Sequence, residues 1–166
     1  MRNSLIALAA VAALSACASH RAEPTPTPDA PTTAPTQPSQ GATPGSAEDF
    51  RVSVGDRVFF GYDRFDLAPE ARQVLERQAA WLRRYPSVRV LIAGNCDERG
   101  TREYNLALGA RRAAAARDYL ASLGIEAGRM ETVSYGKERP VDPRSQEEAW
   151  SVNRNAQTQI VSGAVS

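Results

Sequence analysis

The apolar and polar positions between residues 48 and 166 alternate between two periodicities, one typical of strands and one typical of helices. Residues 57–62 form a short apolar run rich in β-forming side chains, which predicts a strand. Pro69 is well placed as a first helical residue, and the apolar positions after it fall on one helical face up to Tyr85-Pro86. Residues 88–94 are almost continuously apolar, which predicts a strand buried on both faces.

The same alternation continues toward the end of the chain. A second helix is predicted, with Gly124 just beyond its end. Its apolar face is expected to consist of Leu106, Ala110, Ala113 and Leu120. Residues 130–135 predict a third strand, and residues 156–161 alternate between polar and apolar side chains, which predicts an edge or antiparallel strand.

Ser145 and Glu148 have the spacing of a capping box, which predicts a third helix running to about Asn153. The last residues, 162–166, are expected to be frayed. The resulting order is β-α-β-α-β-α-β within residues 48–166. This order predicts one α/β sandwich domain, with helices packed on a mixed four-stranded sheet.

The amino terminus has the pattern of a secretion signal. Residues 5–14 are apolar, but ten helical residues rise only about 15 Å, half of the hydrocarbon core of a bilayer. We therefore interpret residues 1–16 as a signal peptide. The sequence Leu14-Ser-Ala-Cys17 resembles the lipobox of bacterial lipoproteins, which implies acylation of Cys17; an ordinary signal with a coincidental cysteine is the alternative. Several acyl chains together anchor a protein stably.

Residues 17–47 are predicted to be a disordered tether that begins with the lipidated cysteine. After Cys17 the segment is rich in Pro, Thr and Ala and contains no Leu, Ile, Val or aromatic residue, so it cannot offset the entropy of ordering. Its proline content favours extended conformations that reach up to about 90 Å. A generic spacer is favoured over a proline-rich ligand, because arginine-flanked PxxP motifs are missing.

Composition excludes several classes of function. The chain has 20 Lys and Arg against 19 Asp and Glu, a net charge of +1, which gives no electrostatic basis for binding nucleic acid. Its single histidine, His20, lies in the predicted tether, which argues against a histidine-dependent catalytic or metal site in the domain. We expect neither a metal nor a cofactor.

The candidate chemistry follows the second predicted strand, in the polar, glycine-bounded loop at residues 94–105. Such loops bind ligands in α/β folds. The charged residues of the loop and the helix after it are Asp97, Glu98, Arg99, Arg102, Glu103, Arg111 and Arg112. Both signs are present and no Gly-Lys-Ser/Thr follows the glycines, so a zwitterionic ligand fits better than a phosphate. Spacing alone leaves a solvated loop with surface ion pairs as the alternative.

Residues 94–113, GNCDERGTREYNLALGARRA, resemble the signature of the peptidoglycan-associated lipoprotein family, whose members carry an OmpA-like peptidoglycan-binding domain. Residues 58–63, residues 133–140 and Asn153-Arg154 match as well, so the resemblance covers residues 52 to about 161. It implies that the domain binds the peptidoglycan stem peptide at meso-diaminopimelate.

The resemblance also implies roles for individual residues. Asp97 would accept hydrogen bonds from the ligand ammonium group, and Arg112 would bind the ligand carboxylate with its planar fork. Three further positions match family positions near the ligand, with lower rank: Asn105, Asp63 and Arg154. On the same basis, alanine at Asp97 or Arg112 should abolish wall binding and leave the domain folded.

The family resemblance further implies a location and partners. Cys17 would anchor the protein in the outer membrane, with the domain in the periplasm, since Ala18 does not match the enteric inner-membrane retention signal. The implied partners are peptidoglycan and the Tol proteins, especially the TolB propeller, in envelope integrity and outer-membrane constriction at cell division. The alternatives are an OmpA-like wall anchor without Tol partners, and a cell-wall-modifying enzyme such as an amidase or transpeptidase. We expect no enzymatic activity.

Two positions depart from the commonest family pattern: Asn95 replaces a frequent His, and Asn155 replaces a second Arg. We expect a polar structural role for Asn95, whereas the second departure leaves the packing of the last strand open. Strand alternation predicts that Cys96 is a buried, inert thiol, with an intermolecular disulfide as the alternative. Arg111 is expected to be solvated or paired on the helix surface.

Overall fold

The computed structural model describes residues 42–165, so the predicted signal peptide, Cys17 and most of the predicted tether lie outside the described residues. The helices are α1 (Ala47–Asp49), α2 (Pro69–Arg84), α3 (Arg102–Ser122) and α4 (Glu147–Asn153), and the strands are β1 (Arg57–Phe59), β2 (Arg89–Asn95), β3 (Met130–Gly136) and β4 (Asn155–Ser162). A π-helical turn, Phe50–Val54, continues α1, and a 3-10 turn, Ala127–Arg129, precedes β3. No helix within residues 42–165 combines the length and the apolar character needed to cross a membrane.

The four strands form one mixed sheet in the order β1-β4-β2-β3. Strands β2 and β3 are parallel, whereas β4 is antiparallel to both of its neighbours, β1 and β2. The predicted α/β architecture with a mixed four-stranded sheet is therefore confirmed. Of the two possibilities for the last strand, the antiparallel one is correct, and the edge position is wrong because β4 lies inside the sheet.

The core lies between one face of the sheet and the two long helices. Val90 and Ile92 of β2 are buried together with Leu75 and Leu82 of α2 and with Leu120 of α3. The intervening Leu91 points to the opposite face and is only partly buried. The prediction that this strand is buried on both faces is confirmed toward the end of β2, where Ala93 and Asn95 are buried on the same face as Leu91. It fails only at the start of the strand.

The long helices begin and end largely where the sequence places them. Helix α2 starts at Pro69 and is followed by Tyr85, and Gly124 lies beyond the end of α3 in a left-handed conformation. The predicted apolar face of α3 is wrong at Ala110, which is exposed, and at Leu106, which is only partly buried. Its buried positions include Asn105 and Arg112, because this helix also faces a polar site.

Three local predictions are wrong, and one element was not predicted. Strand β1 ends at Phe59, three residues earlier than predicted. The capping box is not used, since α4 begins at Glu147 after Gln146, which makes no side-chain cap. The turn of helix at residues 47–54 was not predicted; Phe50 is buried there, with its ring 5.0 Å from that of Trp81.

The third wrong prediction is a frayed carboxyl end. The backbone N–H of Val165 donates to the Gly45 carbonyl at 3.1 Å, and Ser87 Oγ donates to the Gly163 carbonyl at 3.1 Å. Residues 162–165 are therefore held against both the beginning of the described chain and the turn before β2. Local sequence carries no signal for these contacts, because their partners lie far away along the chain.

Strand β2 and helix α3 approach each other at a pair of glycines. A Cβ placed on Gly94 would lie 1.8 Å from the carbonyl oxygen of Gly109, and one on Gly109 would lie 2.4 Å from Ser134 Oγ. Only glycine fits at this crossing, because the opposing atoms at Gly94 belong to the backbone and cannot move as a side chain can. The contact sets the distance between the strand and the helix that carry the polar loop.

Gly94→Ala is expected to lower the free energy of unfolding by about 2 kcal/mol, because the methyl group forces β2 and α3 apart. Chemical denaturation of the full chain measures this change. Gly128→Ala is the matched control, since a Cβ at Gly128 meets no atom within 4 Å. We expect the control to stay within about 0.5 kcal/mol of the unaltered chain. Equal effects of the two substitutions would contradict the close approach.

Candidate functional site

A pocket of about 220 Å³ opens at the carboxyl end of β2, beside the amino-terminal turns of α3. Its lining residues are Tyr62, Asp63, Cys96, Asp97, Arg99, Gly100, Tyr104, Asn105, Leu108 and Arg112. Four of the five domain residues that the sequence singled out, Asp63, Asp97, Asn105 and Arg112, therefore line one cavity. Its ionisable carboxylates and guanidinium groups are equal in number, which suits a ligand with both charges.

The loop between β2 and α3 is held by its own hydrogen bonds. Thr101 caps α3, with its Oγ1 accepting from the backbone N–H of Tyr104 at 3.2 Å. Asn105 Nδ2 donates to the carbonyl oxygens of Arg99 at 2.7 Å and of Thr101 at 3.1 Å. Gly100 takes a φ of 90°, in the left-handed region, between these two contacts. Asn105 thus fixes the shape of the loop in addition to lining the pocket.

Asp97 is a nearly buried carboxylate, with 4% of its surface exposed. It accepts from Arg99 Nη2 at 2.6 Å and from Arg154 Nη1 at 3.3 Å. Burial by itself would raise the pKa of Asp97, but the hydrogen bonds from both arginines and from the backbone of Arg99 outweigh it and hold the pKa below its ordinary 3.8. The group is therefore an anion at neutral pH.

Arg112 is buried more deeply than any other charged side chain of the pocket, with 1% of its surface exposed. Its guanidinium donates to three backbone carbonyls: those of Arg64 at 2.8 Å, Asn95 at 2.8 Å and Gly61 at 3.1 Å. Burial lowers the pKa of Arg112 below the usual value of an arginine. An arginine has five N–H donors, so two remain for a ligand carboxylate. The side chain also ties the loop after β1 to the end of β2.

Asp63 lies on the loop after β1, in a left-handed conformation with φ of 55°. Its Oδ1 accepts a hydrogen bond from the hydroxyl group of Tyr104, and both side chains are exposed at the pocket mouth. The hydrogen bond raises the pKa of the Tyr104 hydroxyl. Asp63 therefore contributes a negative charge at the mouth, and Tyr104 is a pocket residue that the sequence reasoning missed.

Arg154 lies behind the pocket. It donates to Asp97 at 3.3 Å, to Glu147 at 2.8 Å and to the Phe60 carbonyl at 3.1 Å, and 7% of its surface is exposed. Arg154 does not line the pocket, and its contribution there is the hydrogen bond that it donates to the Asp97 carboxylate.

Arg99 and Tyr62 line the pocket but were not among the predicted site residues. The Arg99 guanidinium contacts two aromatic rings, 4.2 Å from the centre of Tyr62 and 4.1 Å from that of Trp150. Two rings and a carboxylate fix a planar guanidinium in position. The sequence places Arg99 only among the charged residues of the loop, because its aromatic neighbours come from distant segments and give no local signal.

The two departures from the family pattern contact each other. Asn95 Nδ2 donates to Asn155 Oδ1 at 2.9 Å, and both side chains are buried. Asn155 also donates to the Val152 carbonyl at 2.8 Å. The pair joins the last residue of β2 to the first residue of β4. Asn95 therefore has the polar structural role that was expected for it.

The remaining two predictions concern Cys96 and Arg111. Cys96 is buried, its thiol donates weakly to the Asn105 carbonyl at 3.4 Å, and burial raises the pKa of that thiol. These properties agree with a buried, unreactive thiol. Arg111 is exposed on α3, with its guanidinium 5.7 Å from the centre of the Phe65 ring.

The chain is similar both to a protein-family model and to individual proteins that share one name. A model of the OmpA family matches residues 59–154, a segment that contains every residue lining the pocket. The peptidoglycan-associated lipoprotein of Agrobacterium fabrum is 58% identical over 123 residues, which are 74% of this chain and 69% of that protein. The peptidoglycan-associated lipoprotein of Mesorhizobium japonicum is 49% identical over 160 residues, which are 96% of this chain and 92% of that protein.

Among solved structures, the chain is similar to the peptidoglycan-associated lipoprotein from Burkholderia pseudomallei. The TM-score is 0.62 at 42% sequence identity, and the match covers 64% of this chain and 90% of that one. The fold is therefore shared with a protein of known crystal structure.

Proposed function

Because the chain belongs to the OmpA family, and its relatives are peptidoglycan-associated lipoproteins, we propose that it binds the cell wall non-covalently through the meso-diaminopimelate residue of the stem peptide. The observation that carries the proposal is the pocket itself, in which a buried carboxylate, Asp97, and a buried guanidinium, Arg112, occur together. The side chain of diaminopimelate ends in an ammonium and a carboxylate on one carbon.

The two buried groups are complementary to that zwitterion. Asp97 provides acceptors for the ammonium group, and the two N–H donors of Arg112 that are free of backbone carbonyls serve the carboxylate. Both groups are shielded from water, so their interactions with a ligand are screened less by salt than surface ion pairs are. Asp63 and Tyr104 at the mouth, and Asn105 near the start of α3, complete the binding surface.

In this proposal the domain that carries the pocket is attached to a membrane by a lipid anchor. Acylation at Cys17 would hold the protein in the outer membrane, and residues 17–47 would let the domain reach the wall. The resemblance supports Tol proteins, including TolB, as further partners, with a role in envelope integrity and in constriction of the outer membrane at division.

We propose binding and not turnover as the activity of the site. A thiol nucleophile needs a lowered pKa and access to its substrate. Cys96, the one thiol among residues 42–165, is buried and has a raised pKa. This observation favours a wall anchor over a cysteine-dependent wall-modifying enzyme.

Co-sedimentation with purified sacculi tests the proposal. The full chain, purified in detergent, is expected to sediment with walls whose stem peptides contain meso-diaminopimelate and to remain in the supernatant with lysine-type walls. The soluble tripeptide L-Ala-γ-D-Glu-meso-diaminopimelate should release it. Equal binding to both wall types would contradict recognition of diaminopimelate. Release of soluble wall fragments by the protein would contradict a purely binding role.

A further inference from the structure

The Asp97 carboxylate, which is proposed to bind the ligand ammonium, already accepts four hydrogen bonds from the protein itself. Oδ1 of Asp97 accepts from the backbone N–H and from Nε of Arg99, both at 3.2 Å. Oδ2 accepts from Arg99 Nη2 at 2.6 Å and from Arg154 Nη1 at 3.3 Å. A carboxylate offers about four acceptor sites, so none is left for an additional donor. A ligand ammonium must displace one of these partners to bind Asp97.

The two side chains that donate to Asp97, those of Arg99 and Arg154, differ in the number of other groups that they contact. The Arg154 side chain is 9% exposed and also donates to Glu147 and to the Phe60 carbonyl. The Arg99 side chain is 30% exposed, and its hydrogen bonds to the described residues all go to Asp97. Its contact with Glu147 is an ion pair at 3.9 Å, beyond hydrogen-bond distance. Arg99 is therefore the partner that a ligand can replace.

Displacement from Asp97 does not remove Arg99 from the pocket. The rings of Tyr62 and Trp150 lie within about 4.2 Å of the guanidinium, and these contacts do not depend on its hydrogen bonds to Asp97. A ligand that carries only an ammonium takes the counterion of Arg99 and leaves that guanidinium without hydrogen bonds. A ligand that carries a carboxylate beside its ammonium supplies the missing counterion, as a bidentate acceptor.

We propose that Arg99 is the residue that makes the pocket specific for a zwitterionic end group. On binding, the ligand ammonium replaces the Arg99 side chain on Asp97, and the ligand carboxylate bridges the freed Arg99 and Arg112. This inference rests on the proposed function and deepens it, since it explains how diaminopimelate is distinguished from lysine, which has the same ammonium without the carboxylate.

Isothermal titration of the full chain in detergent tests the exchange. The probes are the tripeptide L-Ala-γ-D-Glu-meso-diaminopimelate and its counterpart with L-lysine in the third position. In Arg99→Gln, the ratio of the two affinities is expected to fall at least about tenfold. The loss should come from weaker binding of the diaminopimelate peptide, whereas the lysine peptide should bind as before or more tightly, because its competitor for Asp97 is gone.

Arg102→Gln is the matched control, since Arg102 is exposed, pairs with Glu138 at 3.1 Å and does not line the pocket. It should leave the affinity ratio unchanged. Arg99→Lys keeps the charge without the planar fork and should give an intermediate ratio; it also carries the test if thermal unfolding shows that Arg99→Gln is not folded.

An unchanged ratio in Arg99→Gln, or an equal loss of affinity for both peptides, would overturn the role of Arg99 while leaving the proposed function intact. Failure of the unaltered chain to bind either peptide would instead overturn the proposed function.

Discussion

Arg112→Ala is expected to lower the free energy of unfolding by about 4 kcal/mol, because it removes a buried group that holds two loops together. The guanidinium donates to the carbonyl oxygens of Gly61, Arg64 and Asn95. Its removal leaves these acceptors without their donor and opens a cavity beside Asp97. The sequence suggested a pure ligand-binding residue whose replacement leaves the domain folded. The structure predicts a loss of stability in addition to a loss of binding.

Chemical denaturation of the full chain measures this effect, and Arg111→Ala is its control. Arg111 is the adjacent arginine on the same helix, but it is exposed. We expect Arg111→Ala to change the free energy of unfolding by at most about 0.5 kcal/mol. A cost below about 1 kcal/mol for Arg112→Ala would show that its hydrogen bonds to the backbone contribute little to stability.

Asp97→Asn is expected to weaken binding of the diaminopimelate tripeptide by about a hundredfold, because it removes the buried negative charge that faces the ligand ammonium. The amide keeps the size of the side chain, so the pocket shape is retained. It also leaves Arg99 and Arg154 without their shared anion, which adds like-charge repulsion to the approaching ammonium. Titration calorimetry with the tripeptide provides the measurement.

Asp66→Asn is the control for this substitution. Asp66 is an exposed aspartate paired with Arg64 at 2.5 Å, and that pair lowers the pKa of its carboxyl group as the arginines lower the pKa of Asp97. Because Asp66 does not line the pocket, its replacement should leave the affinity unchanged. Unaltered affinity in Asp97→Asn would rule this carboxylate out as the ammonium site.

The acid sensitivity of binding follows from the same carboxylate. The pKa of Asp97 lies below 3.8, so the charge is present above that pH and is lost only as the pH falls through the lowered pKa. Affinity for the tripeptide should therefore persist at mildly acidic pH and disappear together with the charge on Asp97.

Short-range pattern was a good guide to the long helices and to the position of the site. Pro69 marked the start of α2, and Gly124 marked the end of α3. The polar loop predicted at residues 94–105 does follow a buried strand, although β2 extends to Asn95 and α3 begins at Arg102, which leaves a shorter loop. These signals succeed because helix periodicity, capping and turn conformation depend on residues that are neighbours in the chain.

The pairing of Asn95 with Asn155 shows what pattern alone could not provide. In the sequence they are two separate departures from the family pattern, 60 positions apart; in the structure they form one hydrogen bond of 2.9 Å. The sequence alone does not show which group either asparagine contacts; in the structure each is a hydrogen-bond partner of the other. Only the sheet order, with β4 beside β2, brings the two side chains together.

The sequence by itself determined the fold class and the elements that carry the loop, and its resemblance to a known family supplied the candidate pair Asp97 and Arg112. Tertiary structure alone decided the interior position of β4, the three carbonyls that bind Arg112 and the aromatic rings that hold Arg99. The physical reason is distance along the chain. Secondary structure is set by local backbone and side-chain preferences, whereas a buried charge is stabilised by whichever distant groups the fold brings to it.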